Sequence, residues 1–415
     1  MSLPVKIVIV GNGFGGIYAL KKMHKLFCGN SNVKISLIGE KNYFLFTPLL
    51  HEVATGSINP ENIIEPIRKI LGCCLEKFYL GKAENINTTE RTVTVGNEKL
   101  HYDYLILAPG AETNFYNISG AEEYSLPLKT LEDAIKIKNR CILQIENGSH
   151  IQDRLERQKK LAFVVVGGGA TGVELAAELA EFVKETFARF YSKEVIDDIS
   201  ITLIQKDPEL LPQFHKKIRE KSLKVLHKKG IIVLLNEEVQ KVSTKQIFLS
   251  NGKSIDTETV VWVAGIKPAN MVFDREIEKA SNGKLVINEY LQLENHKEIY
   301  ALGDATLIRT KGENINLPAL AQVTTKQANT VVQNIKRSME EKSLKPFVYH
   351  SSGSLISLGN WMALGEVSNF VFGGRITWWV WRTVYLFKLI SWEKKLQVAI
   401  DWTINIFLPR DISQF

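Results

Sequence analysis

The 415-residue chain holds only four cysteines, Cys28, Cys73, Cys74 and Cys141. They form no CxxC pair and no metal-ligand cluster, which argues against a redox-active disulfide and makes a reducing compartment the simpler expectation. The eight histidines form no short metal-binding array, and no HExxH, nucleophilic serine elbow or nucleic-acid signature occurs. No stretch contains 18 uncharged apolar residues, so a conventional membrane span is not expected. The amino terminus enters the apolar run Val5–Val10 without the basic region, long apolar segment and cleavage site of a signal peptide. Charge of one sign is also scarce. The balance of 52 Lys+Arg against 45 Asp+Glu leaves +7 over the whole chain, compatible with an anionic membrane surface or nucleic acid and diagnostic of neither.

What is present is enough apolar material, 45% of residues, for real cores, and length for roughly two to three domains. The first informative string is VKIVIVGNGFGG at 5–16, a β-rich run meeting glycines at 11, 13 and 16, followed by a helix-compatible stretch at 17–27 and a strand candidate at 33–38. Gly11 permits a tight turn, Gly13 lets backbone approach a pyrophosphate, and Gly16 allows close helix–strand contact, with the anion at a helix amino terminus. The same grammar returns in LAFVVVGGGATG at 161–172, with Gly167, Gly169 and Gly172, helix formers after it and a strand candidate at 201–204. One such string is weak evidence. Two, each between strand and helix, indicate two nucleotide-binding domains.

Residues 78–95 and 100–108 read as strands around a Gly96-Asn97 turn. Residues 130–160 read as helix interrupted at Asn147-Gly148-Ser149, TVVWVAG ending at 265 as a strand, and Gly303-Asp304 as the end of a short apolar strand. After Lys345 the composition shifts: five of the seven tryptophans, at 378, 379, 381, 392 and 402, fall within 371–415. Leu396, Ala399, Ile400, Thr403 and Phe407 recur at helical spacing. Such a stripe suits a membrane interface, with Trp378 and Trp379 entering it and Arg375, Arg382, Lys388, Lys394 and Lys395 meeting headgroups. A buried dimer interface or a packed terminal helix is the alternative.

Two dinucleotide sites suggest one tightly held and one exchangeable cofactor, and the economical chemistry is nicotinamide-dependent flavin reduction. Without a CxxC the acceptor is not a disulfide. The strings NYFLFTPLLHEVATGSI at 42–58, DYLILAPGAETNF at 103–115, GGGATGVELAAELAE at 167–181, WVAGIK at 262–267, ALGDA at 301–305, LPALAQVTTKQA at 317–328 and the aromatic tail together resemble the type II NADH dehydrogenases. These are monotopic NADH:quinone oxidoreductases of the two-dinucleotide-binding-domain flavoprotein class, and the resemblance covers nearly the whole chain.

That resemblance implies an α/β protein of two nested Rossmann-like dinucleotide-binding domains and a membrane-associated carboxy-terminal region. The FAD domain is expected over 1–118 and 284–345, the NAD(P)H domain over 119–283, and the tail over 346–415. It implies transfer of a hydride from NADH to FAD and of two electrons to a membrane quinone, without proton pumping. The lipid bilayer is the expected partner, a homodimer is left open, and the cytoplasmic face of the membrane is the expected location. Gly11, Gly13, Phe14, Gly15, Gly16, Thr47, Pro48, Gly110, Gly303, Asp304, Ala321 and Gln322 correspond to FAD-binding positions, and Gly167, Gly169, Gly172 and Gly265 to those on the nicotinamide nucleotide. Glu174 corresponds to a carboxylate that orients nicotinamide or delivers a proton, and Gln322 and Lys326 to positions of the quinone segment; His51 borders the acceptor site or is simply packed.

Three departures stand out. Gly39 replaces the family's strand-end Asp, leaving Glu40 for the adenosine ribose; Lys326 replaces the second Gln of AQxAxQ and is followed by Gln327. Gln205 replaces a strand-end Glu and is followed by Lys206, which removes repulsion of a 2′-phosphate and keeps NADPH open beside NADH. Sulfide:quinone reduction, reduction of a soluble carrier, and a flavin-containing redox sensor or apoptosis-inducing-factor-like role are the competing readings.

Overall fold

The computed structural model describes residues 4–70, 75–310, 312–315, 317–368 and 370–414; Cys73 and Cys74 lie outside the described residues. The chain forms two compact units, each assembled from separated segments. The first comprises Met1–Leu45, Ile64–Glu112 and Lys267–His350, and the second Phe46–Ile63, Thr113–Ile266 and Ser351–Phe415. Each unit thus draws on three separated segments, with residues 267–283 in the first unit and 46–63 in the second. The tail clusters with the second unit and forms no body of its own.

The first unit is organised by a nine-stranded, mostly parallel sheet. Val5–Val10 lies inside it, parallel to Val33–Gly39 on one side and Tyr104–Leu107 on the other. Ile7 to Val10 are all buried, which explains an apolar run without alternation: both faces of a parallel sheet are covered. One cover is the Phe14–Phe27 helix, which packs against the Ala321–Met339 helix. Thr92–Val95 pairs antiparallel with Glu98–His101 around Gly96-Asn97, the expected hairpin.

The second unit carries a five-stranded parallel sheet in the order 126–127, 259–262, 162–166, 200–205, 231–235. Val164, Val166, Ile204, Val260 and Trp262 from this sheet share a core with Val242, Ile247 and Leu249 of a small antiparallel sheet. The Leu131–Ser149 helix opens with a capping box, Asp133 N donating to Thr130 Oγ1 at 3.1 Å and Thr130 N to Asp133 Oδ2 at 2.8 Å. It runs through Asn147-Gly148-Ser149, where the sequence suggested a break. A β-carbon at 148 would meet Leu161 Cδ2 at 2.6 Å, so this glycine serves close packing. The break falls at 150–153, where Asp153 caps the next helix.

The tail folds as a three-stranded antiparallel sheet over residues 354–374 and two helices, Arg375–Lys388 and Trp392–Phe407. No helix among the described residues is long and apolar enough to cross a membrane. Besides a buried apolar face formed by Trp378, Trp381, Val398 and Trp402, these helices carry large apolar side chains on the outside, unlike an ordinary surface helix. Ile376, Trp379, Phe387, Trp392, Ile400 and Phe407 are exposed. Arg382 and Asp401 are buried, the latter accepting Asn59 N at 3.0 Å and Asn62 Nδ2 at 2.6 Å. Two expectations are corrected here. Trp378 is 2% exposed and packs on Trp361, and Arg382 lies over the Trp378 ring at 3.6 Å, so neither is available to lipid.

Candidate functional site

In the first unit the glycine loop closes on the sheet, with Gly11 N donating to Ile38 O at 2.9 Å. Gly11 has φ +102, a backbone conformation that side chains resist, and a β-carbon on Gly16 would fall 1.7 Å from Gly11 O. Gly13 faces open space at the amino end of the Phe14–Phe27 helix, so the loop leaves a backbone-lined cradle where a pyrophosphate can approach the helix terminus. Phe14 packs edge-on against Phe44 and stacks on Tyr18; Gly15 fits against Leu302 and Ala108. The unusual Gly39 has a local cause. A β-carbon there would meet Asn12 Cγ at 2.6 Å, and Asn12 Nδ2 donates to Lys41 O at 2.7 Å and Tyr43 O at 2.8 Å. Asn12 thus takes the space an Asp would need, leaving the exposed Glu40 as the strand-end carboxylate.

At the far side of the same sheet, Gln327 Oε1 accepts Gly303 N at 2.8 Å, fixing the turn that presents Asp304. Asp304 lines a small cavity with Lys284, Thr306, Thr324 and Gln327. Gly110 is open on its Cβ side, and Ala321 and Gln322 form the first turn of the Ala321–Met339 helix. Lys326 donates to His350 O and lies over the Tyr349 ring. A backbone cradle flanked by Glu40 and Asp304 fits a dinucleotide with two hydroxylated ends.

The second unit repeats the cradle. Gly167 has φ +119, a β-carbon on Gly172 would fall 1.9 Å from Gly167 O, and Gly169 is open. Gln205 does not point outward as a ribose ligand. Its Oε1 accepts Gly168 N at 2.7 Å and its Nε2 donates to Asp207 Oδ2 at 2.7 Å. Gly265 sits under Tyr116, where a β-carbon would fall 2.0 Å from the phenol oxygen. Thr47 and Pro48 open the short turn Thr47–Leu49 in this unit.

Beyond the cradle, the Ala170–Ala180 helix continues into a wider π-type turn over Glu181–Thr186. Glu174, Glu178 and Glu181 fall on one helical face at i, i+4 and i+7 and are at most 9% exposed. His51 and Glu52 join them, each 3% exposed. Arg410 bridges Glu178 at 2.7 Å and Glu181 at 3.0 Å, and Lys229 also pairs with Glu181. Trp402 Nε1 donates to Glu52, Ser57 Oγ to Glu178 at 3.3 Å, and Ser357 N to Glu174 Oε1 at 3.1 Å.

Burial, with the charges of Glu52 and Glu178 adding to it, raises the Glu174 carboxyl to about 8 against the opposing Ser357 N–H. Burial and Glu178 likewise raise Glu52 and Glu181 to about 7. Burial would raise Glu178 too, but the charges of Arg410 and Lys229 hold it below the ordinary range. His51, 3.9 Å from Glu174 Oε2, is pushed down to about 4 by burial, so it is neutral. At neutral pH the cluster therefore keeps Glu174 protonated while Glu178 stays ionised against Arg410. His51 Nε2, Ser357 Oγ, Trp381 Nε1 and Arg382 Nε are buried without a hydrogen-bond partner among the described residues, capacity that water or a ligand would satisfy.

A stability prediction follows. Glu52, Glu174 and Glu181 have folded values above the ordinary carboxylate value, so their contribution is full below about pH 4.5 and is lost as pH rises towards 7–8. The Glu174→Gln variant should lose less melting temperature than the parent between pH 5 and pH 8 in thermal denaturation.

Residues 5–328 match the family model "Pyridine nucleotide-disulphide oxidoreductase", and residues 351–411 match "NDH2 C-terminal domain". A probable NADH dehydrogenase of Dictyostelium discoideum is 31% identical over 99% of this chain and 91% of its own length. The chain belongs to the type II NADH:quinone oxidoreductases. The type II NADH:quinone oxidoreductase Ndh of Mycobacterium tuberculosis is 26% identical over 98% of this chain and 89% of its own length. The fold matches a solved structure of NDH2 from Plasmodium falciparum in complex with NADH at a TM-score of 0.90 and 24% identity, covering 99% of each chain. As a type II NADH:quinone oxidoreductase, the enzyme passes reducing equivalents from NADH through a flavin to quinone and pumps no protons.

A sulfide:quinone oxidoreductase of Aquifex aeolicus shares the fold at a TM-score of 0.77 and 20% identity. Sulfide chemistry needs accessible cysteines, and this chain has none after Cys141, which is buried with its thiol pushed up to about 12 by that burial. The polar contacts around the loops and the buried cluster that the sequence did not reveal are those of Asn12, Glu52, Glu178, Glu181, Arg410 and Gln327. Only the i, i+4, i+7 spacing of acids in an otherwise apolar helix signalled any of them.

Proposed function

We propose that the first unit holds FAD, the second binds NADH and receives the quinone head group beside Glu174, and the tail lies on a bilayer surface. Gly11, Gly13 and Gly16 would take the FAD pyrophosphate, Glu40 and Asp304 its hydroxyls, with Phe14, Gly15, Gly110, Ala321 and Gln322 against its rings and chain. FAD, when bound, accepts a hydride from nicotinamide and gives up two electrons to an acceptor that cannot take a hydride directly. Gly167, Gly169 and Gly172 would hold the NADH pyrophosphate. Glu174, neutral and buried, keeps a proton ready for the quinone oxygen. His51 Nε2 and Ser357 Oγ supply polar partners there. Thr47 and Pro48 shape the wall that continues through Phe46 to Tyr385 and Trp381.

The observation that carries the surface reading is the apolar outer face of the tail, with Ile376, Trp379, Phe387, Trp392 and Phe407 outward while Arg382 and Asp401 are buried. Rings at headgroup depth with Arg375 and Lys388 beside them suit an anionic interface. The side engaged is the one supplied with NADH, read here as the cytoplasmic face. Replacing Ile376, Trp379, Phe387 and Phe407 by Ser should lower liposome binding at least tenfold and quinone turnover on liposomes with it, leaving turnover of a water-soluble quinone unchanged. Unaltered liposome binding with a halved mass in light scattering would instead assign this face to a second copy.

A further inference from the structure

We infer that Asp207 makes the second nucleotide site select NADH against NADPH, with Gln205 acting as its tether. The inference rests on the reading that the nicotinamide nucleotide binds at the Gly167–Gly172 loop. From sequence alone, Gln205 removes the strand-end carboxylate and opens the site to a 2′-phosphate. The geometry reverses that consequence.

Gln205 is 8% exposed, and both ends of its amide are committed. Oε1 receives the Gly168 N–H, so it braces the glycine loop from the strand end, and Nε2 holds Asp207 Oδ2. The backbone around the pair is fixed as well: Gly167 N donates to Ile204 O at 2.8 Å, Glu237 N to Gln205 O at 3.1 Å, and Asn236 N to Asp207 O at 3.2 Å. Asp207 is partly exposed, and Gln205 engages its Oδ2, so the carboxylate's other oxygen can accept from a ligand. A carboxylate at this end of the second strand of a dinucleotide fold suits a ribose 2′-hydroxyl, which donates, and repels a 2′-phosphate, which only accepts. The negative charge has moved two residues along the chain and is held in place by a neutral amide. A Glu at 205 would lose the donor to Asp207 and set two carboxylates together, so the Gln and the Asp form a matched pair.

Lys206 opposes this selection. Its ammonium lies over the Tyr116 ring, 5.8 Å from the centroid, and it is the nearest cation by sequence to the same ribose position. The balance between Asp207 and Lys206 therefore sets the preference, and neutralising the acid should let the lysine act.

The test uses the purified holoenzyme and two ligands that lack nicotinamide, ADP-ribose and 2′-phospho-ADP-ribose, with Kd measured by calorimetry. Wild-type protein should bind ADP-ribose more tightly. Asp207→Asn keeps the side-chain shape, and should bring the two affinities together by about tenfold or more, chiefly by strengthening the phosphorylated ligand, with the effect shrinking as salt rises. Adding Lys206→Ala should reverse most of that gain. The kcat/KM ratio for NADPH over NADH should move in parallel. An unchanged affinity ratio in Asp207→Asn, with ADP-ribose still bound, overturns the role of Asp207 and leaves the nucleotide site standing. Failure of wild-type protein to bind either ligand overturns the site itself and the inference with it.

Discussion

Arg410→Ala should lower the melting temperature by about 5 °C, the largest loss expected from any single surface-distant substitution in the tail. Arg410 is 6% exposed and is the shared countercharge of Glu178 and Glu181. Its removal leaves two carboxylates buried together, and breaking a buried ion pair from one side costs roughly 3–5 kcal/mol, which for a protein of this size gives a shift of that order. Glu178, which Arg410 holds ionised, should then take up a proton. Thermal denaturation across pH checks both parts: the deficit of the variant should be smaller in acid, where protonated carboxyls need no countercharge. Arg410→Lys should recover part of the loss, because it restores the charge but not the fork that reaches both acids.

Glu174→Gln should reduce quinone turnover by about a hundredfold or more while NADH-driven flavin bleaching in single-turnover absorbance keeps its rate. The amide fits the same space and can still accept the Ser357 N–H, but it has no proton to give. The parent enzyme should lose quinone reduction as pH rises through about 8, the value to which burial lifts this carboxyl, and the variant should lack that limb. Equal losses in both half-reactions would show that Glu174 orients the nicotinamide and is not the proton source.

Legibility followed from what a residue type alone can dictate. Gly11 and Gly167 were readable because each needs a backbone conformation and a closeness that side chains forbid. The central strands were readable because both faces of the sheet are covered. Gly148 misled, since a glycine that admits Leu161 looks in sequence like one that ends a helix. Trp378 and Trp379 show the limit more clearly. Adjacent and identical, they differ as 2% and 50% exposed, because helical phase is set by what the helix packs on. Arg382 read as a headgroup contact for the same reason, and Arg410 gave no signal because its partners, Glu178 and Glu181, lie far away in sequence. Gln205 was legible as a missing carboxylate, while its hold on Asp207 required the fold of the loop.

The ionic core of the second unit also sets a timetable for biosynthesis. Glu178 and Arg410 are 232 residues apart, so at about 5–20 residues per second the acids leave the ribosome roughly 10–50 s before their countercharge. During that interval Lys229 can already meet Glu181, but Glu178 has no arginine partner and can be buried only with a proton. The tail that supplies this arginine also carries the exposed aromatics proposed to meet the bilayer, so the ionic core and that outer face are completed in one late step.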